Sequence, residues 1–216
     1  KEKLKAWKGK IHAGGSHESG NTERLTFNFG GEGELKFNTE RFELKFLTVY
    51  TEENDQITSR KTFGRIQYDH FFTEKWYGLL SMETLNDKFK NLNLRLAVGP
   101  GVGYHYWNDD IKKLKLEAGI TYFSEDLKNG IDTQFMTGRL AGKFDYKFSE
   151  VLSFRNESVM FPSFEKVGDY KLRNEAGFNT QLAKGWSLNL SHILDYDNNA
   201  PSGTKSSDST ITFGLQ

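Results

Sequence analysis

Residue types that hydrolyse esters, namely serine, histidine and asparagine, share one face of three neighbouring segments near the C-terminus. Four of them fall on the parity that apolar residues otherwise occupy: Asn156, Ser158, Asn174 and His192. A serine nucleophile needs a histidine within about 3 Å and an orienting group beyond it. The segment of Asn174 separates Ser158 from His192 by about 9–10 Å, at about 4.8 Å per strand. The pattern therefore predicts no catalytic residues and no enzyme, and it favours a polar contact patch on a lipid-facing surface.

Other chemistries lack a suitable set of residues. The chain has five histidines and no cysteine, and neither a His-x-x-x-His spacing nor a carboxylate pair stands on one polar face as metal ligands do. The glycines of the run 99–103 are not followed by a helical pattern, and phosphate binding by such a loop requires a helix N-terminus. We therefore expect no metal site and no cofactor.

In other segments the chain separates two kinds of side chain by parity. Between positions 24 and 37, apolar residues hold one parity and polar or charged residues hold the other. A strand of this length can cross a bilayer with its apolar face toward lipid and its charged face toward a wet interior. The apolar set is Leu25, Phe27, Phe29, Leu35 and Phe37, and the polar set is Arg24, Thr26, Asn28, Glu32, Glu34 and Lys36.

Similar segments continue to the C-terminus. We predict an all-β fold, a transmembrane antiparallel up-and-down β-barrel of about twelve strands that forms one domain over residues 1–216. Short connections alternate with generally longer ones such as 125–132 and 197–206, and an even strand count places both termini on the periplasmic side. The predicted strands cover residues 5–16, 22–37, 40–52, 58–72, 75–86, 91–107, 111–124, 133–147, 150–162, 169–182, 185–197 and 207–216.

Composition excludes other classes of protein. Lys+Arg and Asp+Glu balance at 29 each, so no net charge is available to hold nucleic acid. Mean hydropathy is −0.66, and the apolar stretches are far shorter than the roughly 18 residues of a spanning helix. A soluble ligand-binding barrel stays open as an alternative. Because the chain begins at Lys1 without a charged-then-apolar leader, we expect a mature form of an exported protein.

The inward parity collects charges of both signs with a modest basic excess. Inside a barrel such charges can pair across strands and stay wet. A twelve-stranded barrel lies between those filled by side chains and those with open channels, so the sequence leaves a narrow pore and a plugged barrel both open. An open pore would slightly favour anions. The predicted lumen-lining charges are Arg24, Glu32, Glu34, Lys45, Arg65, Arg95, Lys115, Glu117, Arg139, Arg155, Glu157, Arg173 and Glu175.

Aromatic residues and glycines mark two further features. Tryptophans stand beside the short-turn edge and predict an interfacial girdle there, formed by Trp7, Trp76, Trp107 and Trp186. The glycines Gly99, Gly101 and Gly103 remove side chains from one lumen stripe. They would either widen a path or relieve curvature and admit a neighbouring chain, and the second interpretation is favoured.

Three stretches, in order, resemble the salt-induced outer-membrane protein family, a domain without established function. They are Ser19-Gly20-Asn21-Thr22, Gly99-Pro100-Gly101-Val102-Gly103-Tyr104 and Leu114-Lys115-Leu116-Glu117-Ala118-Gly119-Ile120-Thr121-Tyr122. The resemblance covers nearly the whole chain and implies an outer-membrane location and a link to salt. The ending Thr212-Phe213-Gly214-Leu215-Gln216 resembles the start of the signal read by barrel-assembly machinery without its closing aromatic pair, so we expect a few further residues in the natural protein.

From these features we expect an integral protein of the bacterial outer membrane that forms a narrow diffusion channel for small hydrophilic solutes or ions, linked to osmotic stress only through the family resemblance. The alternatives are a plugged structural or partner-binding envelope barrel and, less favoured, an outer-membrane lipid hydrolase. The expected partners are outer-membrane lipids, lipopolysaccharide, the assembly machinery and an unidentified envelope protein, and we expect a monomer.

Overall fold

The computed structural model describes residues 6–18, 24–88, 92–128, 130, 132–200 and 206–215, and at positions 6, 16–18 and 24 only the backbone. No helix in these ranges is long and apolar enough to span a bilayer. The twelve strands are β1 (Ala6–Glu18), β2 (Arg24–Phe37), β3 (Glu40–Glu53), β4 (Gln56–Phe71), β5 (Trp76–Asp87), β6 (Leu92–Asn108), β7 (Lys112–Leu127), β8 (Asp132–Lys147), β9 (Leu152–Pro162), β10 (Tyr170–Ala183), β11 (Trp186–Asp197) and β12 (Ser207–Leu215).

These strands form one closed barrel, which confirms the predicted fold class and strand number. Each strand pairs antiparallel with its neighbours in the chain, and β1 pairs with β12 to close the ring. At this seam Ala13 stands opposite Leu215. A Cβ atom added to Gly14 would lie 1.6 Å from the Phe213 carbonyl oxygen, so only glycine permits the two strands to approach this closely.

The connections separate the barrel into two ends. The turn end carries residues 38–39, 72–75, 109–111, 148–151 and 184–185, and the loop end is the opposite end, where β1, β3, β5, β7, β9 and β11 finish. Two loop-end connections are shorter than predicted. Asn54 and Asp55, with φ of 50° and 60°, form a two-residue turn, and the ladder between β7 and β8 continues to Asp126 and Asp132, so that four residues connect these strands.

The strands expose their apolar face and bury their polar one, the reverse of a soluble barrel. In β4 the inward residues Arg65, Gln67 and Asp69 are buried, while Ile66 is 54% exposed and Tyr68 37% exposed. This inversion follows from the alternation in the sequence and suits a barrel surrounded by lipid.

The interior also contains apolar clusters, which the sequence analysis did not predict. Leu47, Val49, Phe63 and Ile193 form one buried cluster. A second cluster contains Phe123 and Phe161, and a third contains Phe71, Tyr77 and Leu79. The lumen is therefore amphipathic and not uniformly polar.

The glycines of β6 allow close packing and do not widen the lumen. A Cβ atom on Gly99 would lie 1.9 Å from the Ile120 carbonyl oxygen of β7. At Gly103 a Cβ atom would lie 2.1 Å from the ring of Tyr77, which is completely buried. These glycines therefore allow neighbouring groups to approach β6, in agreement with the favoured interpretation.

Candidate functional site

Charged side chains cross the lumen at mid-height. Lys45 of β3 lies with its Nζ 3.2 Å from Glu157 Oε2 of β9 and 2.7 Å from Glu175 Oε2 of β10. In a ring of twelve strands β3 and β9 lie opposite each other, so the first of these ion pairs spans the lumen. Arg65 of β4 completes the group by a close ion pair with Glu157.

A second group fills the side of the lumen between β4 and β8. Arg139 Nη1 lies 2.8 Å from Glu117 Oε2. Glu117 Oε1 accepts hydrogen bonds of 2.9 Å from Gln67 Nε2 and 2.8 Å from the Tyr77 hydroxyl. Each of the two carboxylate oxygens of this buried glutamate therefore has a partner, which satisfies the charge without water.

A layer of apolar side chains lies beside these charged groups, on the loop side of Lys45. Leu47 follows Lys45 on the inward face of β3 and packs in the same cluster as Phe63 and as Ile193 from β11. We define the constriction as Lys45, Leu47, Phe63, Arg65, Glu157, Glu175 and Ile193. It consists entirely of side chains, and it separates two cavities.

The turn-end cavity has a volume of about 380 Å³ and contacts the constriction at Lys45 and Arg65. A further space of about 190 Å³ adjoins it beneath Phe71 and His105. Lys10, Lys113 and Lys143 line the turn-end cavity, and the structure gives none of them an ion pair with a described residue. The cavity therefore presents cationic groups that are available to a mobile anion.

The loop-end cavity, of about 720 Å³, lies on the other side of the constriction. Phe63, Phe123 and Phe161 contribute to its wall together with Glu83 and Arg173. Arg173 reaches from β10 toward the opposite strand β4, where its Cζ lies 4.3 Å from the centroid of Phe63. Its Nη1 donates to both oxygens of Asp195, at 2.9 and 3.0 Å.

The structure distributes the predicted lumen charges over these regions. Lys45, Arg65, Glu157 and Glu175 form part of the constriction, and Lys115, Glu117 and Arg139 belong to the network beside it. Glu32, Glu34 and Arg155 line the turn-end cavity, and Arg95 and Arg173 line the loop-end cavity. The side chain of Arg24 and the stretch 19–22 lie outside what the structure describes.

The four predicted girdle tryptophans are exposed and stand at the turn end. Trp76 begins β5 and Trp186 begins β11, while Trp107 lies one residue before the end of β6 and Trp7 lies one residue after the start of β1. Trp76 packs on Tyr104 with a centroid distance of 4.7 Å.

The predicted lipid-facing patch is divided into two groups. Asn174 Nδ2 donates to Ser158 Oγ at 2.7 Å, and Ser158 Oγ donates to Asn156 Oδ1 at 3.3 Å. His192 lies apart from them because its register partner on β10 is Ala176, and its Nε2 contacts Ser209 Oγ of β12 at 2.6 Å. The sequence analysis missed this Ser209 contact, since β12 joins β11 on the side away from Asn174.

Among the described residues, no group of three or more His, Asp or Glu side chains is arranged to hold a metal ion.

The chain belongs to a family described as a protein of unknown function, DUF481, whose model matches residues 11–216. No functionally curated protein matches the chain. This family description does not mention salt induction.

Solved structures share the barrel fold at low sequence identity. The NanC porin is 8% identical, with 95% of this chain and 97% of that chain covered and a TM-score of 0.56. The translocator domain of autotransporter NalP from Neisseria meningitidis is 13% identical, with 98% and 86% covered and a TM-score of 0.46. The Pseudomonas putida toluene transporter TodX is 12% identical, with 98% and 78% covered and a TM-score of 0.39. The first of these likenesses supports an outer-membrane type of barrel.

Proposed function

We propose that this chain forms a narrow outer-membrane channel for small hydrophilic solutes or ions, gated at the constriction. The observation that carries the proposal is the presence of one cavity on each side of a barrier built only of side chains. The likeness to a protein whose printed name is a porin agrees with it.

Side chains can move without unfolding the barrel wall, whereas the wall itself is fixed by backbone hydrogen bonds. Lys45 Nζ contacts Glu157 and Glu175 at the same time, so a rotation that breaks one contact can keep the other while it changes the shape of the constriction. The apolar layer of Leu47, Phe63 and Ile193 would oppose the passage of water when closed, as hydrophobic constrictions do in channels. Conduction would therefore occur in brief openings.

The turn-end cavity has a small excess of basic side chains, eight against seven acidic ones among the described residues, which supports a slight preference for anions. Lys10, Lys113 and Lys143 have no ion pair with a described carboxylate, and rings of Lys or Arg select anions in pores. We therefore expect any preference for anions to arise between the constriction and the turn end.

Planar-bilayer recording of refolded protein tests both parts of the proposal. We expect discrete conductance steps. In a salt gradient, we expect a reversal potential whose sign shows that anions are more permeant than cations. Lys10→Gln with Lys143→Gln should reduce that potential, whereas Lys166→Gln should leave it unchanged, because Lys166 is 67% exposed at the loop end and already paired with Asp169. A folded barrel without conductance steps would overturn the proposal.

The alternative is a plugged structural or partner-binding barrel. The cross-lumen ion pairs and the interior apolar clusters favour it, because both would hold the lumen shut. A protein that shows heat-dependent gel mobility and binds an envelope partner, yet never conducts, would fit this function.

We also propose an outer-membrane location, contact with its lipids and lipopolysaccharide, insertion by the assembly machinery and a monomeric state. The exposed apolar face and the turn-end tryptophans support the membrane contact. Fractionation of cells and cross-linking of the native protein would test location and oligomeric state. The link to salt rests on the resemblance alone, and comparison of expression levels at low and high osmolarity would test it.

We propose finally that the protein is not an enzyme. The contact of His192 with Ser209 brings a base to a hydroxyl, but no described residue forms a hydrogen bond with His192 Nδ1 to orient the ring. Labelling of Ser209 by a fluorophosphonate, lost in Ser209→Ala, would contradict this proposal.

A further inference from the structure

The loop-end cavity has the size and the wall of a small-molecule site. Its volume of about 720 Å³ lies within the range of about 300–1,000 Å³ that such sites occupy. Phe63 of the constriction belongs to its lining, so the constriction lies at the inner end of this cavity.

One wall of this cavity is an aromatic cluster. Phe123 and Phe135 stack with a centroid distance of 5.3 Å and an interplanar angle of 3°. Phe161 meets Phe123 edge-on, with a centroid distance of 4.8 Å. Leu92 and Ala97 of β6 extend this wall, and Phe63 contributes from the other side of the cavity. An apolar body of ligand would therefore be covered on more than one side.

The charges that line the cavity distinguish one sign of ligand from the other. Among the described residues, eight acidic and five basic side chains line it. Each of the five basic side chains has an acidic partner: Lys61 and Arg173 pair with Asp195, Arg95 and Lys171 with Glu125, and Lys166 with Asp169. Arg173 Nη2 is buried without a hydrogen-bond partner among the described residues, but the other contacts that these basic groups offer an anionic ligand are already taken up by carboxylates.

Acidic groups remain available. Asp132 and Glu165 stand at the mouth of the cavity, and neither forms an ion pair with a described residue. Deeper in the cavity, Glu83 Oε1 and Thr137 Oγ1 are buried without a hydrogen-bond partner among the described residues. Glu83 Oε1 lies 3.9 Å from Arg65 Nη1 and 3.8 Å from Arg139 Nη2, beyond hydrogen-bond distance. The Glu83 carboxylate at this depth makes the cavity unfavourable for an anion.

We propose that the loop-end cavity binds a monovalent organic cation with an aromatic or branched apolar body. The body packs against Phe123, Phe135 and Phe161, and the cationic group lies toward the mouth, near Asp132 and Glu165. Aromatic rings attract ammonium groups electrostatically as well as by apolar contact. The inference goes beyond the proposed channel and does not depend on conduction, because a plugged barrel would contain the same cavity.

Isothermal titration of the detergent-folded protein tests the site with three probes of similar size: benzyltrimethylammonium, benzyl alcohol and benzoate. We expect saturable binding of the cation only, and weaker binding as ionic strength rises. Equal or tighter binding of benzoate or benzyl alcohol would overturn the charge assignment. Absence of saturable cation binding would overturn the site.

Variants locate the binding within the protein. Asp132→Asn with Glu165→Gln should weaken cation binding roughly tenfold, since two carboxylates are lost. Phe135→Leu should weaken it about threefold through loss of one ring. The matched controls are Glu74→Gln with Asp110→Asn, two exposed acids of the turn end, and they should leave binding unchanged. If these controls weaken binding as much as the loop-end pair, the cation is held by general charge and the proposal is wrong.

Discussion

Lys45 of β3 and Glu157 of β9 form an ion pair of 3.2 Å across the lumen, between strands on opposite sides of the barrel. Two side chains of ordinary length thus meet at the barrel axis, and neither is more than 13% exposed. A barrel of twelve strands is therefore narrow enough for side chains from opposite walls to meet.

The first prediction concerns Glu157→Gln. This change leaves Lys45 and Arg65 without their shared carboxylate, and loss of one partner from a buried ion pair costs about 3 kcal/mol of folding free energy. Urea titration, with the fraction of folded protein measured from its gel band, should show this loss of stability. The control Lys166→Gln removes an exposed ion pair and should cost less than about 1 kcal/mol. Equal losses in the two variants would show that the constriction is hydrated like the surface.

The second prediction distinguishes the two faces of one strand. Leu190 is 49% exposed on the outer face of β11, and its neighbour Asn189 lines the turn-end cavity. If the outer face contacts lipid as proposed, Leu190→Arg should cost about 2–4 kcal/mol near the midplane, whereas Asn189→Arg should be tolerated. Folding yield in lipid vesicles provides the measurement. Similar yields for both variants would mean that the outer face does not contact lipid.

The third prediction concerns the contact of Gly103 with Tyr77. A Cβ atom at Gly103 would overlap the tyrosine ring at 2.1 Å, so Gly103→Ala should destabilise the barrel by about 1–3 kcal/mol. Gly142→Ala is the control, because its Cβ atom would meet Leu116 at an ordinary 3.6 Å. Thermal unfolding in detergent would compare the two. A stable Gly103→Ala variant would show that the ring can move aside.

The predicted strand pattern depended on a chemical difference between two faces, and it holds where that difference is strong. Segments such as β2 and β4 were predicted closely for this reason. Leu47 and Val49 share the inward parity of Lys45, but they were missed as lumen residues because the interior of the barrel was expected to be polar. The pairing of Lys45 with Glu157 could not be predicted either, since it depends on the register accumulated over six strands.

The fourth prediction concerns pH and the turn between β6 and β7. Asp109 Oδ1 accepts hydrogen bonds from the backbone N–H groups of Lys112 at 2.8 Å and Ile111 at 2.9 Å. These bonds hold the pKa of the Asp109 carboxyl below its ordinary value. Because the pKa is lower in the folded state, the carboxylate stabilises the turn fully above the unfolded pKa of about 4 and loses this effect as the pH falls through the folded value.

Asp109→Ala tests this pH dependence. The difference in stability between the wild-type protein and this variant should be constant near neutral pH and should shrink on acidification below about pH 4. Urea titrations of both proteins over this range provide the measurement. A difference that grows on acidification would contradict the assigned direction.

The seam between β1 and β12 has a consequence for how the barrel forms. Every other pairing joins strands adjacent in the chain, so those contacts are local and can form early as hairpins. The seam joins Ala13 to Leu215, about 200 residues apart. Closing this long loop has a large entropic cost, so we expect the seam to form late. Until then two strand edges stay unpaired and can recruit another chain. We expect the amides beside Gly14 and Gly214 to gain protection from hydrogen exchange last, because ring closure completes the barrel.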